Sequence, residues 1–148
     1  TLKRAHEVDP MNFGTVYRIG EILRKLSWAG GEGYRELAHE AARWFALSLQ
    51  LNPLDVQSHI RHGMCLDWLG EHAKAEPSFK RALDLDPKSF NVVLHYGWHF
   101  LSAGDYLTAK HWFEESVKLS TASWQLNTIA PSYLTIIQKR LAEKAAKK

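Results

Sequence analysis

One arrangement of side chains returns every 34 residues, and it restricts this 148-residue chain to stacked helical hairpins. Gly63, Leu66, Ala75, Phe79, Ala82 and Pro87 are matched, each 34 residues on, by Gly97, Phe100, Ala109, Phe113, Ser116 and Thr121. A unit of this length cannot bury its apolar face alone, so copies must pile against one another. A stretched copy comes first. Val16, Ile19, Gly20 and Leu23 open it, and Ala41, Phe45, Ser48 and Pro53 close it, with Pro53 lying 43 residues after Pro10. About nine extra residues are therefore expected between its two halves, near 28–36, where a stack of repeats tolerates insertions. Leu2, Ala5 and Pro10 keep the spacing of Phe79, Ala82 and Pro87. Residues 1–10 thus read as the tail of a preceding repeat whose beginning is missing, and Thr1 opens inside a repeat without an initiator Met. The expected organisation is this tail, repeats at 11–53, 54–87 and 88–121, and a capping helix at 122–148.

The recurring residues explain the helices. Asn52-Pro53 and Asp86-Pro87 end a helix, because the residue before proline is pushed out of the α region. Asn12, Asp55 and Ser89 follow two residues after each proline, where a side-chain oxygen can accept from the first free amides of a new helix. Ser123 holds the same place after Thr121. Apolar residues fall at helical spacing between these signals, as in Ile60, Cys65, Leu66 and Leu69, then Ala75, Phe79, Ala82 and Leu83. Helix pairs are predicted at 13–28 with 34–51, 57–69 with 72–85, and 90–103 with 106–119, joined in the last two pairs by Gly70-Glu71 and Gly104-Asp105. Gly20, Gly63 and Gly97 sit inside helices, where glycine costs about 1 kcal/mol against alanine; close approach of the paired helix accounts for them. A last helix is expected from Ser123 towards Ala146, with Leu134, Ile137, Leu141 and Ala145 inward and Gln138, Lys139, Glu143 and Lys144 in water. Pro131 should kink or break it, and Pro77 should disturb the first turns of its own helix. The fold class is all-α.

Composition narrows the function. Hydrophobic residues make up 45% of the chain, enough for one continuous core, and 24% are charged. The net charge of +3 gives little reason to expect nucleic acid. Lys139, Arg140, Lys144, Lys147 and Lys148 crowd the end of the last helix, where cations suit the helix dipole better than they argue for an anionic membrane. No run of about eighteen apolar residues offers a spanning helix. The single cysteine, Cys65, excludes an internal disulfide and reads as a small apolar packing group.

With those residues in place, the chain resembles the tetratricopeptide repeat (TPR) family over nearly its whole length. Gly63, Ala75, Phe79, Ala82 and Pro87 carry the resemblance, as do Gly97, Ala109 and Phe113. His59 and His62 stand at the family's Trp and Leu positions and Thr121 at its Pro position. The resemblance implies a right-handed α-α superhelix of three helix pairs plus the capping helix, with a concave groove that binds protein segments without catalysis. It places that groove on the first helix of each pair: Tyr17, Arg18, Glu21, Arg24 and Lys25; then Gln57, Ile60, Arg61, Met64, Asp67 and Trp68; then Asn91, Leu94, His95 and Trp98. Trp and Arg are frequent binding hot spots, although Trp68, Leu94 and Trp98 read equally as packing between neighbouring units. The Lys, Asn and Arg set with which some members hold a terminal carboxylate is not matched here. A narrower resemblance joins Tyr34 to Trp44, Arg61 to Gly70 and Gly97-Trp98-His99 to the repeat tails of bacterial O-antigen ligase or polymerase membrane proteins. It implies a regulatory tail, cytosolic or on the envelope side, whose catalytic part lies elsewhere.

Other chemistries find little footing. His59 and His62 are three apart and His95 and His99 four apart, each pair on one helical face. No acidic residue completes a zinc-enzyme pattern, so structural histidine is the preferred reading and no metal or cofactor is expected. No nucleophile elbow, phosphate loop or Cys–His motif is present, and Glu114-Glu115 point in different directions on their helix. The stretch Trp28 to Tyr34, with Gly30, Gly31 and Gly33, is read as an elongated turn with its rings tucked against helices in preference to a lid. A protein-interaction module is the leading reading, a glycan-assembly tail the second, and a glycan or small-molecule binder using Trp68 and Trp98 the third.

Overall fold

The computed structural model describes residues 1–147; Lys148, the last of the C-terminal cations, lies outside the described residues. Among them are eight helices and no strand: α1 (Leu2–Val8), α2 (Phe13–Trp28), α3 (Tyr34–Leu51), α4 (Val56–Trp68), α5 (His72–Leu85), α6 (Phe90–Ser102), α7 (Tyr106–Ala122) and α8 (Ile129–Ala146). They form two compact units, Thr1–Leu85 and the residues from Asp86 onward.

In the first unit α2 pairs with α3, α4 with α5, and α3 packs on α4. Asn12 and Asp55 cap their helices as expected, accepting from the amides of Thr15 at 2.9 Å and Ser58 at 2.7 Å. The nine extra residues of the stretched repeat lie mostly inside its helices. α2 and α3 have 16 and 18 residues where α4 and α5 have 13 and 14, so only a short loop around Gly30–Gly33 remains. Both helices are lengthened at the loop end of the hairpin, which keeps the backbone hydrogen-bonded where a nine-residue loop would not. Phe45 and Phe79 are fully buried. Phe45 lies in a core with Ile19, Leu23, Ala41, Ala42 and Cys65, and Leu2 of α1 packs against that core. The interior serines Ser48 and Ser58 meet at 2.9 Å and tie the first hairpin to the second. α5 runs unbroken across Pro77, contrary to the expected disturbance.

In the second unit α6 pairs with α7, and α8 packs on α7. Ser89 caps α6 and Asp105 caps α7, accepting from Val92 and Thr108. Leu94, Ala109, Phe113, Ala130 and Ile137 form the core. Two expectations fail here for related reasons. With Thr121 in place of proline nothing stops α7, which continues to Ala122, and Ser123 becomes its C-cap instead of opening the next helix. α8 then starts at Ile129, and Pro131 falls in the first turn, where its missing amide hydrogen is not needed. A helix begun at Ser123 would have put that proline in its interior. Asn127 supplies the cap-like bond, accepting from Ala130 at 3.2 Å. The inward stripe of α8 ends at Leu141, and Ala145 is exposed.

Candidate binding face on the first helices of the hairpins

Of the assigned groove residues of the first unit, Tyr17, Glu21, Arg24, Arg61 and Met64 are in contact across α2 and α4. Glu21 is the hub. Arg24, one turn on, donates to it twice, from Nε to Oε1 at 2.8 Å and from Nη2 to Oε2 at 3.3 Å. Arg61 arrives from α4, its Nε 3.3 Å from the same Oε1. That approach is an ion pair without hydrogen-bond alignment, and the Nε atom is buried with no hydrogen-bond partner. Arg61 Nη1 donates to the Met64 thioether at 3.3 Å. Burial would push the Glu21 carboxyl up, but the Arg24 hydrogen bond and the charges of Arg24, Arg61 and Lys25 outweigh it and hold the group below its ordinary range. Burial raises the Tyr17 phenol, against the opposing pull of a hydrogen bond from Arg61.

Beside the ion pairs runs an aromatic shelf. The Arg24 guanidinium lies 4.7 Å from the centre of the Trp28 ring. Trp28 and Tyr34 flank Trp68, with ring centres 6.0 and 5.8 Å away. Trp68 Nε1 donates to Ser27 Oγ at 3.0 Å, and that hydroxyl donates to the Tyr34 carbonyl at 2.7 Å. The loop is thus a short turn in place of the expected elongated one, with Trp28 and Tyr34 at the helix ends packed against Trp68 and Trp28 still partly open to solvent. The sequence does not disclose that Trp68, one repeat later, is what they tuck against, because no local spacing links residues 28 and 68. The Arg24–Glu21 pair is legible as an i,i+3 contact; the crossing Arg61 is not.

The other assigned residues divide by exposure. Arg18 and Lys25 are exposed, Gln57 is half-buried, and Ile60 and Met64 are buried. Asp67 is buried and meets His72 Nδ1 at 2.8 Å. On α6, Leu94 is in the core and Trp98 packs against it, while Asn91 and His95 are half-buried. His95 Nδ1 donates to the Asn91 carbonyl at 2.7 Å. The histidine pairs are placed structurally: His59 Nε2 donates to the Pro53 carbonyl at 2.9 Å, and His62 Nδ1 lies 2.8 Å from Ser78 Oγ. Among the described residues no group of three or more His, Cys, Asp or Glu could hold a metal ion. No helix among them is long and apolar enough to cross a membrane. Burial pushes the Cys65 thiol up to about 12, which leaves almost no thiolate at neutral pH.

Helical hairpins stacked side by side, with polar and aromatic residues gathered on their first helices, define a helical-repeat protein. The tetratricopeptide repeat family matches residues 56–89. The fold is that of a TPR solenoid. It is similar to TTC0263, a thermophilic TPR protein of Thermus thermophilus, with a TM-score of 0.79 at 19% identity over 93% of this chain and 69% of that one. MamA of Desulfovibrio magneticus RS-1 gives 0.69 at 21% identity, over 82% of this chain and 63% of that one. The first TPR domain of human RPAP3 gives 0.65 at 16%, over 89% and 99%. In sequence the chain is 37% identical over 87 residues to Protein O-mannosyl-transferase Tmtc2 of Drosophila melanogaster. That match spans 57% of this chain and 8% of the relative. These comparisons support the TPR family and give no support to the narrower resemblance to O-antigen ligase or polymerase tails.

Proposed function

We propose that this chain is a non-catalytic protein-interaction module whose α2–α4 face receives a segment of a partner protein. The observation that carries this is the gathering of Tyr17, Glu21, Arg24, Arg61 and Trp68 from two successive hairpins onto one partly open face. Rings held by one another and arginines held by Glu21 are pre-ordered, so a ligand meets them at a low entropic cost. Asn91, His95 and Trp98 are the corresponding contacts of the second unit. Selection of ten-residue peptides by display on the immobilised chain tests this reading. The selected peptides should bind at least about tenfold more weakly to Trp68→Ala and to Arg18→Glu, as loss of a hot-spot contact predicts. Equal binding to both variants, with their helical circular dichroism intact, would count against it.

A second reading is favoured by the Drosophila relative, whose name is that of an O-mannosyl-transferase: the repeats would serve as the interaction segment of a larger glycosyl-transfer protein. Mannosyl-transfer activity recovered with the native protein from its own cells would support it, and active-protein fractions free of this chain would not.

A further inference from the structure

We propose that Arg61 is a receptor for a carboxylate side chain, so that the segment bound on the α2–α4 face is acidic. The inference rests on the reading of that face as a peptide site and names the chemistry it selects. Two guanidinium groups share one carboxylate, and they share it unequally. Arg24 takes both oxygens of Glu21 in a fork and stacks on Trp28. Arg61 has a hydrogen bond to the Tyr17 phenol, one unaligned approach to Glu21, a buried Nε without a hydrogen-bond partner, and an Nη1 directed at a sulfur atom. Among the described residues Glu21 is thus its one anionic contact, and no carboxylate forks it. A thioether is a weak acceptor for a charged donor, and a partly buried cation is normally matched by an anion and hydrogen bonds. The nearby acids are engaged elsewhere: Asp67 meets His72, and Asp55 caps α4. Arg18 and Lys25 stand exposed on α2 and add positive potential to the same helix. A carboxylate arriving at Arg61 could accept two parallel N–H bonds in place of the sulfur contact, a pairing that suits the planar guanidinium.

The test is an array of ten-residue peptides, amidated at the C-terminus so that only side-chain carboxylates are offered. Each Asp or Glu peptide is paired with its Asn or Gln counterpart, and the folded chain is applied. The acidic members should be retained at least about tenfold better than their amide partners. That preference should vanish in Arg61→Gln and fall in Arg61→Lys, which keeps the charge but loses the fork. Amide peptides retained as well as acidic ones, or a preference that survives in Arg61→Gln, overturns the assignment while leaving the peptide-binding face standing. Retention of no peptide of either kind overturns both.

Discussion

A Cβ added to Gly63 would lie 2.6 Å from the Phe79 ring, a distance real side chains do not reach. The equivalent atom would sit 3.0 Å from Phe45 at Gly20 and 3.2 Å from Phe113 and Trp112 at Gly97. These contacts are the physical content of the glycine–phenylalanine spacing in the sequence, and they rank three substitutions. Overpacking costs about 1–3 kcal/mol, while alanine returns about 1 kcal/mol of helix propensity. Gly63→Ala should therefore lower the urea midpoint clearly, Gly20→Ala less, and Gly97→Ala hardly at all. Trp124 presents the reverse case. It follows the C-cap of α7 at φ 56°, and its neighbour's amide, that of Gln125, bonds back to the Ser120 carbonyl at 2.9 Å. Gly70 and Gly104 hold the same place after α4 and α6 at φ 80°, where glycine avoids a strain of roughly 1–2 kcal/mol. Trp124 is 94% exposed and has little packing to lose, so Trp124→Gly should stabilise the chain by about 1 kcal/mol, measurable by urea unfolding. Burial, helped by the charge of His59, lowers the proton affinity of His62 below its ordinary value of 6.5. The unfolded chain then binds the proton more readily, and stability should fall as pH drops below about 6.5. Urea midpoints at pH 8 and pH 5.5 should differ less in His62→Gln than in the parent; an unchanged difference would show that His62 is not responsible.

At the level of helices, what was legible in the sequence depended on whether a signal acts locally. Asn12, Asp55 and Ser89 each cap within three residues, and the starts of α2, α4 and α6 fall within a residue of expectation. The junction of α7 and α8 was misread because two signals compete there. Ser123 fits the capping register, but Pro131 excludes it as the start, and Asn127 takes over. The stretched repeat showed both its length and its helices in the sequence: the expected spans 13–28 and 34–51 are those of α2 and α3, since each is an amphipathic run with no stop signal inside it. Contacts between elements were the least legible. Nothing in the spacing pairs Ser48 with Ser58 or Arg61 with Glu21, both of which depend on how one hairpin lies on the next. The serine pair offers a direct check. Ser48→Ala or Ser58→Ala alone leaves a buried hydroxyl without its partner and should cost about 1–2 kcal/mol. The double variant should cost about as much as either single one; additive losses would mean that the two hydroxyls are not coupled.

Across the molecule, the helices of each unit draw their stability from their nearest neighbours within that unit. The ends should therefore open first. α1 has no buried residue, and α8 has only Ala130 and Ile137, whereas α3 and α4 carry Phe45, Ser48, Ser58 and Ile60 in the interior. Amide hydrogen exchange should be fastest in α1 and α8 and slowest in α3 and α4; a protected α1 would contradict this. The central functional claim is that partners are met by the first helices of the hairpins. Two-dimensional NMR of the labelled chain with a display-selected peptide addresses it most directly. Shifts confined to the amides of α2 and α4 around Arg18–Trp28 and Arg61–Trp68, together with the Trp28 and Trp68 indole signals, are the predicted result. Shifts centred on α3 and α5, with those indoles unmoved, would contradict it.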